Sequence, residues 1–134
     1  MYVEIGGRQT GKTTRLVDSV INFLTENPNK SALIVSKMEL QRKSIRREII
    51  RKCGEPCQYR TITSHKMLPT AGNTMKQFVD EFWSLPKENL IVDKNAYYCG
   101  TVNDNLNLTA TEIIDYYRME TLLKPSKVLY KHKM

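Results

Sequence analysis

Residues 6–13 read Gly-Gly-Arg-Gln-Thr-Gly-Lys-Thr, a Gly6-x4-Gly11-Lys12-Thr13 spacing. This is the pattern of a phosphate-binding loop, G-x-x-x-x-G-K-[ST]. Its glycines let the backbone curl until several N–H groups point at one anion. Lys12 reaches the β- and γ-phosphates as a point charge, and the Thr13 hydroxyl is placed for Mg²⁺. The loop opens a helix whose N-terminal dipole favours the same anions. Such a loop constrains the fold because it needs a strand before it and a helix after it. Tyr2-Val3-Glu4-Ile5 supplies a strand-like run. Leu16, Val17, Val20, Ile21 and Leu24 follow at helical spacing, and Asn27-Pro28-Asn29 stops the helix. Nucleotide contacts are expected from Gly6, Gly7, Arg8, Gln9, Thr10, Gly11, Lys12, Thr13 and Thr14.

Beyond the loop, short apolar runs alternate with helical ones, which predicts an α/β domain with a mainly parallel sheet. Strands are expected over residues 2–6, 32–36, 58–63, 75–80 and 96–101, and helices over 11–24, 38–52 and 109–123. On the second helix Met38, Ile45, Ile49 and Ile50 are the residues able to face the sheet. The expected architecture is a three-layer P-loop NTPase with a five-stranded sheet flanked by helices. Residues 1–123 form one domain, and residues 124–134 a basic tail carrying four lysines.

A P-loop binds triphosphate, but hydrolysis also needs a carboxylate for the metal and another to activate water. Phe78-Val79-Asp80-Glu81 provides both at the end of an apolar run. Asp80 would hold Mg²⁺ through its water shell, with Thr13 as the other metal residue, and Glu81 would polarise the attacking water. Leu90-Ile91-Val92-Asp93 is a rival, but Lys94 stands where the catalytic acid is needed, so it reads as a structural strand end or loop. Thr101 and Asn103 leave the last strand where ligands of parallel sheets sit, and are candidate γ-phosphate sensors.

The net charge is +7 and the pI about 9.4, which suggests a polyanionic partner, DNA in the first place, or simply a lysine-rich surface. Arg42, Lys43, Arg46 and Arg47 on the second helix are the candidate contacts. Cys53, Cys57 and Cys99 are expected as free thiols; Cys53-x3-Cys57 with His65 nearby leaves a zinc site as the alternative. The chain has no apolar run near the ~20 residues a membrane span needs, so no membrane partner and a cytoplasmic location are expected.

The order of these motifs resembles the P-loop ATPases of the additional-strand, catalytic-glutamate class, notably the ATPase domain of viral DNA-packaging terminases and superfamily one and two helicases. Residues 7–14, with Arg8 inside the loop, are similar to terminase P-loops. Residues 33–41 resemble the helicase segment after the second strand, and residues 100–103 a coupling motif, although Val102-Asn103 departs from the usual terminase pattern. The resemblance implies ATP and Mg²⁺ as ligands, Glu81, Lys12 and Arg8 as catalytic residues, and slow hydrolysis by an isolated monomer. It also implies self-association or a partner protein that donates an arginine. Two other readings stay open: a nucleoside or nucleotide kinase, which lacks the expected second cysteine pair, and a non-hydrolysing nucleotide-binding module. No Asn-Lys-x-Asp stretch specifies guanine, which favours ATP.

Overall fold

The computed structural model describes residues 2–6, 11–69, 72–91, 93–101 and 127–131. Strand β1 (Tyr2–Gly6) leads to helix α1 (Lys12–Glu26), and strand β2 (Ser31–Val35) to helix α2 (Glu39–Cys53). A 3-10 turn, Glu55–Arg60, precedes β3 (Thr61–Ser64). Then come β4 (Met75–Asp80), the short 3-10 turns Phe82–Ser84 and Lys87–Asn89, β5 (Tyr97–Thr101) and β6 (Lys127–Lys131). The six strands form one sheet in the order β3-β2-β4-β5-β1-β6, and every pairing is parallel.

The fold class expected from sequence is therefore met at the level of an α/β domain with a parallel sheet. The sheet has a sixth strand, because residues 127–131, read as part of a tail, pair with β1 in the register Val3↔Val128. Residues 58–60, read as the start of a strand, lie instead in the 3-10 turn, where Pro56 at its start fixes a helical φ. The helix expected over 109–123 lies outside the described residues.

Strand alternation divides the core into two layers. On one face Ala32, Ile34, Phe78, Tyr97 and Cys99 meet Leu16, Val17, Val20 and Leu24 of α1 and Ile45 and Ile49 of α2. Both described helices thus cover the same face. On the other face Val3, Leu33, Val35, Val79 and Tyr98 meet Met67, Phe82 and Leu85 from the connecting loops. Burying side chains of this size contributes about 1.5–3 kcal/mol each. Met38, read as a core residue of the second helix, is 60% exposed, and Leu40 is 79% exposed. The helix begins one residue later, and Met38 is its extended N-cap, so its side chain leaves the buried stripe.

Partly buried arginine hydrogen bonds tie the first helix to the loops. Arg60 donates to the carbonyls of Leu24, Asn27 and Lys30, closing the C-terminal end of α1, whose last carbonyls have no helical partner. Cys53 and Cys57 are joined by a disulfide between the end of α2 and the following turn. This corrects the free-thiol expectation for that pair, since their Cα atoms lie 6.2 Å apart, within bridging reach. Cys99 is a free, buried thiol. No group of three or more His, Cys, Asp or Glu suited to a metal ion occurs among the described residues.

Candidate functional site

Parallel strands that run the same way bring their carboxyl ends to one edge of the sheet, where the loops leave room for a ligand. Here that edge gathers Gly6 at the end of β1, Thr101 at the end of β5 and Asp80 at the end of β4. The register aligns Gly6 with Thr101, and Glu4 and Asp80 both with Cys99. Strands β1 and β4, whose ends at Gly6 and Asp80 are about 70 residues apart in sequence, are therefore separated in space by the single strand β5.

Gly11 stands at the N-cap of α1 with φ 82°, in the left-handed region that glycine occupies without penalty. A Cβ there would also lie 3.0 Å from the Arg15 guanidinium. Lys12 follows as the first residue of the helix and is only 6% exposed. Thr13 and Thr14 are exposed on the first turn. Gly7, Arg8, Gln9 and Thr10 lie outside the described residues, as does Asn103.

The helix is anchored to β1 by a pair that the motif does not contain. Arg15 Nε donates to both Glu4 carboxylate oxygens, at 2.8 and 3.1 Å, its Nη2 also bonds Oε1, and the Tyr2 hydroxyl donates to Oε2 at 3.0 Å. Glu4 is 1% exposed. A carboxylate buried on a strand needs such partners. The signal in the sequence was a lone acid inside the apolar run Tyr2-Val3-Glu4-Ile5.

Asp80 is 1% exposed. Its Oδ1 accepts from the Cys99 thiol at 3.2 Å, and its Oδ2 from Gln41 Nε2 at 3.0 Å. Burial pushes its carboxyl pKa up, and the neighbouring Glu81 adds to the rise; the two hydrogen bonds and the charge of Lys12 oppose it. The Cys99 thiol is held well above its ordinary value, first by burial and then by Asp80, so it stays a thiol and donates. Gln41 and Cys99 carry no motif signal and came together only through the fold.

Glu81 is the one non-glycine residue with positive φ among the described residues (φ 50°, ψ 55°). Left-handed backbone costs such a residue about 1 kcal/mol, and strain of this kind concentrates at functional sites. The turn that follows is fixed by the Ser84 hydroxyl and amide, both donating to the Glu81 carbonyl. Phe82 beneath it is fully buried against Tyr98, with ring centroids 6.0 Å apart at 81°. The Glu81 side chain turns toward β5. Its Oε2 accepts from the Thr101 amide at 3.1 Å and its Oε1 from the Thr101 hydroxyl. Thr101, read as a phosphate sensor, thus holds the glutamate read as catalytic.

Asp93 plays a structural part, in line with the sequence reading. It accepts from the Gln77 and Asn95 amides, while its own amide donates to the Tyr98 hydroxyl. The four basic residues of α2 divide. Arg42 donates to the Ser36 and Lys37 carbonyls, and Arg46 to those of Gln58 and Thr61, so both brace the fold. Lys43 is exposed and pairs with Glu39 at 3.1 Å across one helical turn, and Arg47 is exposed.

No known protein family, curated protein or solved structure matches this chain. Among the described residues, no helix is long and apolar enough to cross a membrane.

Proposed function

We propose that this protein is a P-loop ATPase that binds Mg²⁺·ATP at the carboxyl edge of its sheet and hydrolyses it while acting on or with DNA. The observation that carries the reading is that Lys12, the buried first residue of α1, lies close enough to the buried Asp80 for its charge to act on that carboxylate, with the half-buried Glu81 next in the chain. A strand inserted between the loop strand and the acidic strand is also in keeping with the additional-strand class that the motif order resembles. The donor set suits the ligands. Lys12 and the amides opening α1 suit a triphosphate, and the oxygens of Thr13 and Asp80 suit a hard divalent cation. Bound Mg²⁺ would supply charge neutralisation for the phosphates.

The roles of the chain's own residues follow. Lys12 binds and orients the terminal phosphates. Asp80, already fixed by two donors, presents its carboxylate without reorganising. Glu81 orients water once its carboxylate leaves the Thr101 hydroxyl and amide, which hold it in place until then. The held position of Glu81 is in keeping with slow turnover by the protein alone, and an arginine from Arg8, a second copy or a partner protein would complete the site. The net charge of +7 and the exposed Lys43 and Arg47 favour DNA as the polyanion.

Phosphate release from ATP and Mg²⁺, with and without single- and double-stranded DNA, tests the proposal for the native chain and Glu81→Gln. The expected result is DNA-stimulated hydrolysis that Glu81→Gln lowers by at least about 100-fold while ATP still binds. Failure of the native chain to bind ATP, or unchanged turnover in Glu81→Gln, would overturn it.

A further inference from the structure

Gln41 is a glutamine on the first turn of α2, half-buried, and 39 residues from the acid it touches. Its amide nitrogen lies 3.0 Å from Asp80 Oδ2, while the Cys99 thiol occupies Oδ1. A carboxylate oxygen has two lone pairs, so Oδ2 can accept from Gln41 and still accept from a metal-bound water. The contact is not required to dock α2. Ile45 and Ile49 already bury the helix against the sheet, and Arg42 and Arg46 already bolt it to the loops at either side. Arg42 also closes the turn in front of Gln41 by bonding the Ser36 and Lys37 carbonyls, which fixes the position from which the amide reaches out.

We propose that Gln41 is a positioning residue for the metal carboxylate: it fixes the rotation of Asp80 through Oδ2 and so sets the affinity for Mg²⁺ in the nucleotide complex. This rests on the ATPase reading above. Partners that orient a metal-binding carboxylate from outside the ligand set are worth about 10- to 100-fold in metal affinity. A residue that only braced α2 would weaken the protein without distinguishing metal-bound from metal-free nucleotide.

The test is titration of the full chain with a fluorescent, non-hydrolysable ATP analogue, once with Mg²⁺ and once with EDTA. Gln41→Met keeps the side-chain length and loses the donor. The expected result is that Mg²⁺ tightens nucleotide binding by the native chain, and that Gln41→Met loses about tenfold or more of that enhancement. Its affinity in EDTA stays within about twofold, which is ~0.4 kcal/mol. In an Asp80→Asn background, adding Gln41→Met changes nothing further, because the group it positions is gone. An undiminished Mg²⁺ enhancement in Gln41→Met would overturn the proposal, as would an equal loss with Mg²⁺ and with EDTA, or a further loss in Asp80→Asn. If the native chain shows no Mg²⁺-dependent nucleotide binding, the ATPase reading falls and this one with it.

Discussion

Gly100 offers a sharp test of how the acidic turn is held. Its place in β5 sets the backbone directly against the Phe82 ring. A Cβ built there lies 3.0 Å from Phe82 Cε1 and 3.2 Å from Cδ1. Carbon atoms prefer about 3.5–4.0 Å, so in Gly100→Ala the ring must withdraw by roughly 0.5 Å. It has little room, being fully buried in the layer formed by Val3, Leu85, Ala96 and Tyr98. Overpacking of this kind costs about 1–3 kcal/mol. At ~2 kcal/mol, with an unfolding entropy of about 2.1 cal/mol/K per residue, a chain of this length should melt ~7 °C lower. Phe82 directly follows Glu81, so the same displacement should disturb the left-handed turn and, on the proposed ATPase reading, lower hydrolysis as well. Urea unfolding of Gly100→Ala, Phe82→Leu and the double variant measures the effect. The smaller Leu should relieve the clash, giving a coupling energy of at least ~0.5 kcal/mol. A Gly100→Ala protein within ~0.5 kcal/mol of the native one, or strictly additive variants, would refute the packing argument.

Three further outcomes are expected. The pKa of Asp80 is raised from its ordinary 3.8, so the folded chain holds a proton that the unfolded chain has released between the two values. The charge therefore penalises folding at neutral pH, and the penalty fades as the pH falls through the folded value. Asp80→Asn should raise the melting temperature of the ligand-free protein at pH 7, with a gain that shrinks toward pH 4; calorimetry across that range checks it. Arg60→Ala should cost ~2 kcal/mol in denaturant unfolding, because three carbonyls lose a charged donor, whereas the exposed Arg47→Ala should stay within about 0.5 kcal/mol. Glu4→Gln should cost ~2 kcal/mol, below the usual range for a broken buried pair because Arg15 is partly exposed to water. Combining it with Arg15→Met should return part of the loss, since no unpaired charge then remains; thermal melts of the two proteins decide it.

The legibility of this chain varied with how local each determinant was. β1 and β4 could be bounded at the residues observed, because a short apolar run ended by glycine or by an acidic pair is complete in itself. Helix α1 was recognisable from its apolar stripe. Helix α2 was harder, since arginines and lysines dominate it and only Ile45 and Ile49 are fully buried; the stripe did not exclude Met38. Residues 127–131 looked like part of a solvated lysine tail, because Lys127 and Lys131 bracket only three apolar residues, and a short lysine-flanked edge strand has the same composition as a free tail.

By itself the sequence determined a strand, a glycine-rich stretch and a helix in succession at the start of an α/β domain, and an acidic pair at the end of a later strand. Those are properties of spacing within a few residues, and backbone geometry enforces them wherever they occur. The tertiary structure decided which strands are neighbours. Only the insertion of β5 between β1 and β4 puts Cys99 on Asp80 and Thr101 on Glu81. Only the packing of α2 on the sheet aims Gln41 at the same carboxylate, and only α1 on β1 joins Arg15 to Glu4. These contacts link residues 11 to 39 positions apart, and a carboxylate drawn in from solvent takes its donors from whatever the fold brings within hydrogen-bond reach, which no local pattern records.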